Sequence, residues 1–120
     1  MGGRWEAEML DSVEVFDPES GGWAGGPAML EARSGFGAAV LGGGIYVAGG
    51  EVFDQSAGFE ATALASVERL DGDTWNASAS LPRPLHGMPL VAVGDTLYLL
   101  GGSIEAAAAD NTGEVWSLRP

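Results

Sequence analysis

The sequence predicts an all-β fold built from short antiparallel strands, and three observations support this prediction. A pattern recurs along the chain: residues 43–50 read Gly-Gly-Ile-Tyr-Val-Ala-Gly-Gly, and residues 95–102 read Asp-Thr-Leu-Tyr-Leu-Leu-Gly-Gly, 52 positions later. The apolar runs are short and are bounded by glycine. Glycine makes up 20 of the 120 residues without a three-residue period, which indicates many turns rather than collagen and disfavours long helices.

The repeat extends well beyond this motif. Trp23 and Trp75 are also 52 positions apart, whereas residues 13–17 and 67–71 are 54 apart because the first copy has a longer polar turn before its tryptophan. Turns tolerate such differences in length. Parts of a further copy are visible at both ends, in residues 2–3 and 114–118.

Each period contains four segments with the character of strands. Two are apolar and bounded by glycine, one alternates between apolar and polar residues, and the last follows a polar turn. The two apolar segments are 36–41 and 45–48 in one copy and 88–93 and 97–100 in the other. The alternating segment begins at Val13 and Val67, and the last segment begins at Trp23 and Trp75. Four short strands in a period of about 50 residues are typical of a β-propeller blade.

Two long acidic loops, 51–66 and 103–113, separate these strands. The alanine-rich runs at 61–65 and 106–109 could form short helical turns and are interpreted as parts of these loops. Loops on a rigid scaffold are common recognition surfaces, and their acidity favours basic or neutral partner segments.

The charge balance restricts the partners. Seventeen acidic residues face five arginines and no lysine, which gives a formal net charge of −12 and predicts binding to neither nucleic acid nor anionic membranes. There is no cysteine, so disulfides, thiolate metal sites and thiol nucleophiles are excluded. No signal peptide or transmembrane segment is visible, which favours a cytoplasmic location.

These repeats resemble the kelch repeat. The resemblance lies in the order of a double glycine, a variable loop, Val-Glu-Val-Phe-Asp-Pro, Trp, Arg-Ser-Gly, an apolar strand and Ile-Tyr-Val-Ala-Gly-Gly, and it covers about residues 2–118. It implies a kelch-type β-propeller, here about two four-stranded antiparallel blades of an incomplete propeller. Residues 1–26 would end one blade, 27–78 would form a full repeat, and 79–120 would form a second, incomplete repeat.

Kelch propellers usually close with five to seven blades, so missing blades or self-association would be needed to complete this one. An open array exposes strand edges and an apolar blade face. The isolated chain is therefore expected to be unstable or to self-associate.

Several repeated residues are predicted to be structural. The paired glycines suit strand ends that need positive φ, and they lack the context of a phosphate-binding loop. The tryptophans are expected to pack between neighbouring blades, the alternative being a stacked ligand, and the tyrosines are expected in the core. These residues are Gly49, Gly50, Gly101, Gly102, Trp23, Trp75, Tyr46 and Tyr98.

The Arg33-Ser34-Gly35 stretch is the predicted ligand site. The resemblance implies that Arg33 and Ser34 face the mouth of the central channel and bind acidic peptides, since an arginine presents a planar fork to a carboxylate. In the second copy the equivalent residues are Leu85 and His86. This copy has therefore lost the arginine cation, and only the His86 side chain can titrate. The ligand hypothesis predicts that Arg33→Ala weakens peptide binding without lowering the melting temperature; the alternative is that Arg33 pairs with local carboxylates.

The sequence predicts no catalytic residue, metal or cofactor. The single histidine, His86, has no cysteine or second histidine to share a metal ion. Residues 71–73 read Asp-Gly-Asp, but Pro82 stands where a calcium loop would place its bidentate glutamate, so a hairpin turn is expected there.

Two functions remain open. The first is a non-enzymatic protein-interaction module that presents loops to a polypeptide partner, with a peptide segment at the propeller mouth, as the substrate-recognition part of an adaptor. The second is a set of blades from a propeller enzyme, an oxidase or sugar isomerase, whose active site lies in missing blades. A copper oxidase of this type needs a cysteine-linked tyrosine and several histidines, which this sequence does not supply.

Overall fold

The computed structural model describes residues 1–6, 8–54, 60–106 and 110–120. These residues form β-strands joined by turns, and no α-helix occurs among them. In the described part of the chain, no helix is long and apolar enough to cross a membrane. The strands are β1 (Arg4–Trp5), β2 (Glu8–Met9), β3 (Val13–Asp17), β4 (Gly22–Gly26), β5 (Gly37–Leu41), β6 (Gly44–Ala48), β7 (Glu51–Asp54), β8 (Glu60–Ala63), β9 (Val67–Asp71), β10 (Thr74–Ala77), β11 (Leu90–Val93), β12 (Thr96–Leu100) and β13 (Val115–Leu118).

The middle of the chain forms a four-stranded antiparallel sheet in the order β10-β9-β6-β5, called here the middle sheet. Two-residue turns join β5 to β6 and β9 to β10. Both turns contain a glycine with positive φ, Gly42 at 59° and Gly72 at 59°. Sequential strands joined by such turns pair with one another, which produces the meander of a propeller blade.

Two incomplete sheets flank the middle sheet. The N-terminal hairpin pairs β3 with β4, and the C-terminal sheet has the order β11-β12-β13. The inner strand of the middle sheet, β5, packs against β11 and β12 of the C-terminal sheet. The described residues thus form an incomplete propeller, and the all-β prediction is confirmed.

The same main-chain hydrogen bonds recur at each paired glycine. The first glycine donates its N–H to the residue before the third strand: Gly49 to the Ser66 oxygen at 2.9 Å, and Gly101 to the Glu114 oxygen at 2.8 Å. The φ angles also recur, at 61° and 103° for Gly49 and Gly50 and at 61° and 107° for Gly101 and Gly102. Both values lie in the region that favours glycine.

The apolar core lies between the sheets. Successive side chains of a strand point to opposite faces, and β6 uses both faces: Val47 contributes to one cluster, Tyr46 and Ala48 to the other. The first interface joins the N-terminal hairpin to the middle sheet around Val13, Met29, Val47 and Trp75. The second interface joins the middle sheet to the C-terminal sheet around Tyr46, Ala48, Val67, Leu85, Met88, Leu90, Leu97 and Leu99.

The repeated aromatic residues differ in burial. Trp75 is 5% exposed in the first interface, whereas its equivalent, Trp23, is 69% exposed on the N-terminal hairpin. Tyr46 is buried and Tyr98 is half-buried. Trp23 instead lies against Phe16, with ring centroids 5.0 Å apart.

The loop 51–66 differs from its predicted structure. Instead of a helical turn at 61–65, strands β7 and β8 form an antiparallel hairpin in which Val52 lies opposite Thr62. Pairing with β7 satisfies the main-chain groups of this segment, and this tertiary context outweighs the helix preference of alanine. In the second alanine-rich run, 106–109, all residues except Ala106 lie outside the described part of the chain.

Candidate functional site

The starts of two inner strands meet at one end of the sheets, and this region is called the mouth. It consists of Ser34, Gly35, His86 and Gly87. Ser34 exchanges main-chain hydrogen bonds with Glu51, at 2.8 and 3.1 Å, as His86 does with Ser103, at 2.9 and 3.0 Å. The Gly87 N–H donates to the Gly35 oxygen at 2.7 Å and joins the two turns side by side.

Arg33 lies directly before the mouth but has no solvent exposure. Its Nη2 donates to Oε1 of Glu68 at 2.5 Å and to the Ser66 hydroxyl at 2.9 Å, and its Nη1 donates to the Gly49 oxygen at 2.7 Å. Glu31 forms a further ion pair with Nη2 at 3.2 Å. This geometry favours the alternative considered from the sequence, in which Arg33 pairs with local carboxylates.

Glu68 is buried almost as completely, with 3% of its side chain exposed. Its second oxygen, Oε2, accepts the N–H of Leu30 at 2.8 Å. Both carboxylate oxygens are therefore occupied, as the burial of a charged group requires. The Arg33–Glu68 pair ties the segment before β5 to β9.

His86 lies at the mouth and is 7% exposed. Its Nε2 is 2.7 Å from the main-chain oxygen of Glu105, and because a carbonyl can only accept, Nε2 carries the proton of this bond. Its Nδ1 faces Oε2 of Glu51 at 3.6 Å. That carboxylate oxygen is buried and has no hydrogen-bond partner among the described residues.

The charge around the mouth is acidic rather than basic. The positive charge of Arg33 is balanced internally by Glu31 and Glu68, while Glu51 faces His86 and Glu105 is exposed beside it. Carboxylates attract donors and cations. The mouth is thus better suited to a neutral or basic segment than to an acidic peptide.

The second repeat replaces the buried ion pair by apolar residues. Leu85 stands at the position of Arg33. Trp116 stands at the position of Glu68, because it pairs with Leu99 in the same way that Glu68 pairs with Val47. An ion pair is still present, but between Arg83 and Glu114, which are 35% and 43% exposed. The Arg83 guanidinium also lies 6.0 Å from the ring centroid of Trp116.

Sequence analysis missed three carboxylates that shape this region: Glu31, Glu51 and Glu68. Glu68 had no distinguishing signal, because Glu14 follows Val13 in the same way in the first copy and is exposed. Nothing in the sequence relates Glu51 to His86 until the two bridges at Ser34 and His86 are known. Among the described residues, no group of three or more His, Asp or Glu is arranged to hold a metal ion.

Comparisons with known proteins agree with the repeat. A family model described as the kelch motif matches residues 32–82. Kelch-like ECH-associated protein 1A of Danio rerio is 35% identical over 101 residues, which cover 84% of this chain and 17% of that protein. Kelch-like protein 40 of Mus musculus is 33% identical over 97 residues, which cover 81% of this chain and 15% of that protein.

A solved structure shows the same fold. The structure of YjhT superimposes with a TM-score of 0.77 over 91% of this chain and 35% of that chain, at 15% sequence identity. The chain thus spans less than a fifth of the length of these two kelch-like relatives and about a third of YjhT. The motif match, the relatives and the repeated glycine geometry together show that the chain belongs to the kelch-repeat family.

Proposed function

We propose that this chain is a protein-interaction module whose partner binds at the mouth as a neutral or basic polypeptide segment. Ser34 and His86 would be the side chains that contact the partner, and the buried Arg33 would hold the Ser34 turn in position. In a longer protein such a module would act as the substrate-recognition part of an adaptor. The kelch-like relatives support an interaction role, and one of them is named as ECH-associated.

One observation carries this proposal: two repeats bring equivalent residues to one place. The Gly87–Gly35 hydrogen bond of 2.7 Å holds the Ser34 and His86 turns side by side. Rigid presentation of short turns by a sheet scaffold is the usual design of a recognition surface. The half-buried Ser34 side chain provides a polar group in the turn beside that of His86.

The state of His86 favours binding over catalysis. Its Nε2 is engaged by a main-chain oxygen at 2.7 Å, and the ring is 7% exposed. A general acid or base must reach the proton that it transfers. Here the ring nitrogen that carries the proton is committed to the fold.

Panning of a random peptide library against the 120-residue chain tests the proposal. We expect enrichment of neutral or basic peptides. Ser34→Arg should lower their affinity at least tenfold, because the arginine side chain fills the mouth and its charge repels basic peptides. The matched control is Val40→Arg, since Val40 is 66% exposed on β5 outside the mouth.

Unchanged binding in Ser34→Arg would contradict the mouth as the contact surface. Enrichment of acidic peptides that lose affinity in Arg33→Lys would instead support the ligand role for Arg33 implied by the family resemblance. Circular dichroism of each variant separates loss of binding from loss of folding.

A further inference from the structure

An open groove lies between the β7–β8 hairpin and the segment that follows the second pair of glycines. One wall is β8 and the other is the segment 104–106, and each has described strands before and after it in the chain. The volume of the groove is about 440 Å³, within the range of roughly 300–1,000 Å³ that is typical of ligand sites. Most of the lining is small or apolar, and it includes Ala61, Thr62, Ala63, Pro84, Ile104 and Glu105.

The main-chain groups of β8 alternate between β7 and the groove. Glu51 lies opposite Ala63 in the hairpin, but the N–H and C=O of Glu51 are both bonded to Ser34, at 2.8 and 3.1 Å. The Glu51–Ala63 pair is therefore a non-hydrogen-bonded pair, and Ala63 directs its own N–H and C=O away from β7. Ala61, two residues earlier on the same strand, repeats this orientation.

This outward edge of β8 faces the second repeat. At the base of the hairpin, the Leu85 N–H donates to the Leu64 oxygen at 3.1 Å. Beyond this bond the groove begins, and β8 pairs with β7 and with no other strand among the residues that the structure describes. Main-chain groups of this kind at the edge of a sheet are a template for a further strand.

The charged side chains at the groove are acidic. Glu60 begins β8 and Glu105 lies on the opposite wall, and both are exposed. The nearest arginine in the sequence, Arg83, is paired with Glu114. Carboxylates attract cations, so a segment that lies in the groove would place basic side chains favourably between Glu60 and Glu105.

We propose that β8 binds an extended basic segment of a partner protein as an added strand. Ala61 and Ala63 would exchange main-chain hydrogen bonds with the segment, and Glu60 and Glu105 would pair with its lysine or arginine side chains. Main-chain pairing supplies affinity in such strand addition, and side-chain contacts supply specificity. No residue of the mouth lines this groove, so the inference goes beyond the proposed function and does not depend on it.

A partner segment fits better than a second copy of this chain. Two copies carry a formal charge of −12 each and repel one another. Pairing of two β8 strands would also bring Glu60 of each copy to the acidic edge of the other, and like charges on paired strands are destabilising. Charge complementarity therefore selects a basic segment from another protein.

A capped hexapeptide of alternating lysine and valine is the probe, because such a strand presents one residue type on each face. Titration into the isotopically labelled 120-residue chain should shift the amide signals of Ala61, Ala63 and Glu105.

Two N-methylated forms of this peptide are the matched controls, one methylated at every lysine amide and the other at every valine amide. In an added strand, the amides of one residue type face β8 and those of the other type face away. One methylated form should therefore bind at least tenfold more weakly than the unmethylated peptide, and the other should bind as the unmethylated peptide does.

Variants of the chain test the two parts of the contact. Ala61→Pro removes an N–H that faces the groove, at an edge position where proline is tolerated, and should reduce peptide binding at least tenfold. Ala61→Ser keeps this N–H and should preserve binding. Glu105→Lys should weaken binding at least threefold by reversing a charge at the groove. Its matched control is Glu14→Lys, the same change at an exposed position on β3, which should alter binding less than twofold.

Equal binding of the two methylated peptides would overturn the proposal, and so would equal effects of Glu105→Lys and Glu14→Lys. These two comparisons decide the outcome even if Ala61→Pro disturbs the hairpin. Amide shifts confined to Ser34 and His86 would also overturn it, while leaving the proposed function intact. A dimer in light scattering that Ala61→Pro converts to a monomer would overturn it in favour of a second copy.

Discussion

The two interfaces between neighbouring sheets have the same main-chain frame and apolar cores, but they differ at one pair of buried positions, which is charged in the first repeat and apolar in the second. In both, the paired glycines and the residue before the inner strand make equivalent hydrogen bonds, such as Gly3 to the Arg33 oxygen and Gly50 to the Leu85 oxygen, each 2.8 Å. The first repeat buries an ion pair between Arg33 and Glu68. The second buries Leu85, with Trp116 packed against the same apolar cluster.

This difference shows which parts of the repeat are fixed and which are free. A buried charge needs its partner, so Arg33 and Glu68 can be replaced only together. In the second repeat both have changed to apolar residues, and the ion pair has moved to the half-exposed positions of Arg83 and Glu114. The main-chain frame depends on glycine conformation and is the same in both repeats.

The largest expected effect is from Trp75→Ala. Removing this buried side chain should lower the free energy of unfolding by about 4 kcal/mol, through lost burial and the cavity left behind. Chemical denaturation followed by circular dichroism measures it. The matched control is Trp23→Ala, at a 69% exposed position, which should change stability by less than about 0.5 kcal/mol; equal effects would contradict the assignment of the interfaces.

Breaking the buried ion pair should have the next largest effect. Arg33→Ala should lower the free energy of unfolding by about 3 kcal/mol, because Glu68 is left buried without its cation. This outcome is the reverse of the unchanged melting temperature expected if Arg33 were a ligand-binding surface residue. The control is Arg119→Ala, which removes an ion pair between Arg119 and Asp95, whose side chains are 73% and 72% exposed. It should lower the free energy of unfolding by less than about 1 kcal/mol.

The double variant Arg33→Leu with Glu68→Trp sharpens the comparison of the two repeats. It installs the residues of the second repeat in the first, and it should be less destabilised than Arg33→Leu alone, since no unpaired charge remains. A double variant that is less stable than the single variant would show that the two positions are not equivalent.

A smaller effect is expected at the paired glycines. Gly49 and Gly42 have nearly the same φ, 61° and 59°, but a Cβ at Gly49 would meet the Leu85 oxygen while one at Gly42 would meet nothing within 4 Å. Both alanine variants pay for positive φ, about 1–2 kcal/mol, and only Gly49→Ala adds a clash. The melting temperature of Gly49→Ala should therefore be lower than that of Gly42→Ala. An equal decrease in melting temperature would show that the close approach of the Leu85 oxygen is unimportant.

The smallest effect concerns the turn after β3. The Ser20 hydroxyl donates to Asp17 at 2.6 Å and the Glu19 N–H donates to it at 2.9 Å, and these bonds lower the pKa of the Asp17 carboxyl. A lowered pKa in the folded state means stability that is present at neutral pH and is lost as the pH falls through that pKa. Asp17→Asn should therefore reduce slightly the acid dependence of the melting temperature below pH 4; an unchanged dependence would contradict the role of these bonds.

The fold was predictable because its signals are local and repeated. Paired glycines, short apolar runs and polar turns recur at a fixed spacing, and each fixes main-chain geometry without reference to distant residues. The hairpin β7–β8 was not predictable, since the pairing of Val52 with Thr62 outweighs the helix preference of neighbouring alanines. The kelch resemblance was also confirmed, because its motifs are the same local signals.

The site was less predictable because it depends on contacts between distant segments. The sequence marked Arg33, Ser34 and His86 but gave no means of placing Glu68, 35 positions after Arg33, against the guanidinium. Burial of Arg33 follows from that contact.

Hydrogen exchange of the four indole N–H groups, measured by NMR on the 120-residue chain, tests the central claim most directly. The claim is that neighbouring sheets stack through a tryptophan buried between them. The account predicts that the Trp75 indole, bonded to the Pro27 oxygen at 2.9 Å, exchanges at least a hundredfold more slowly than those of Trp5 and Trp23, which are 72% and 69% exposed. Equal and rapid exchange of Trp75 and Trp23 would contradict it.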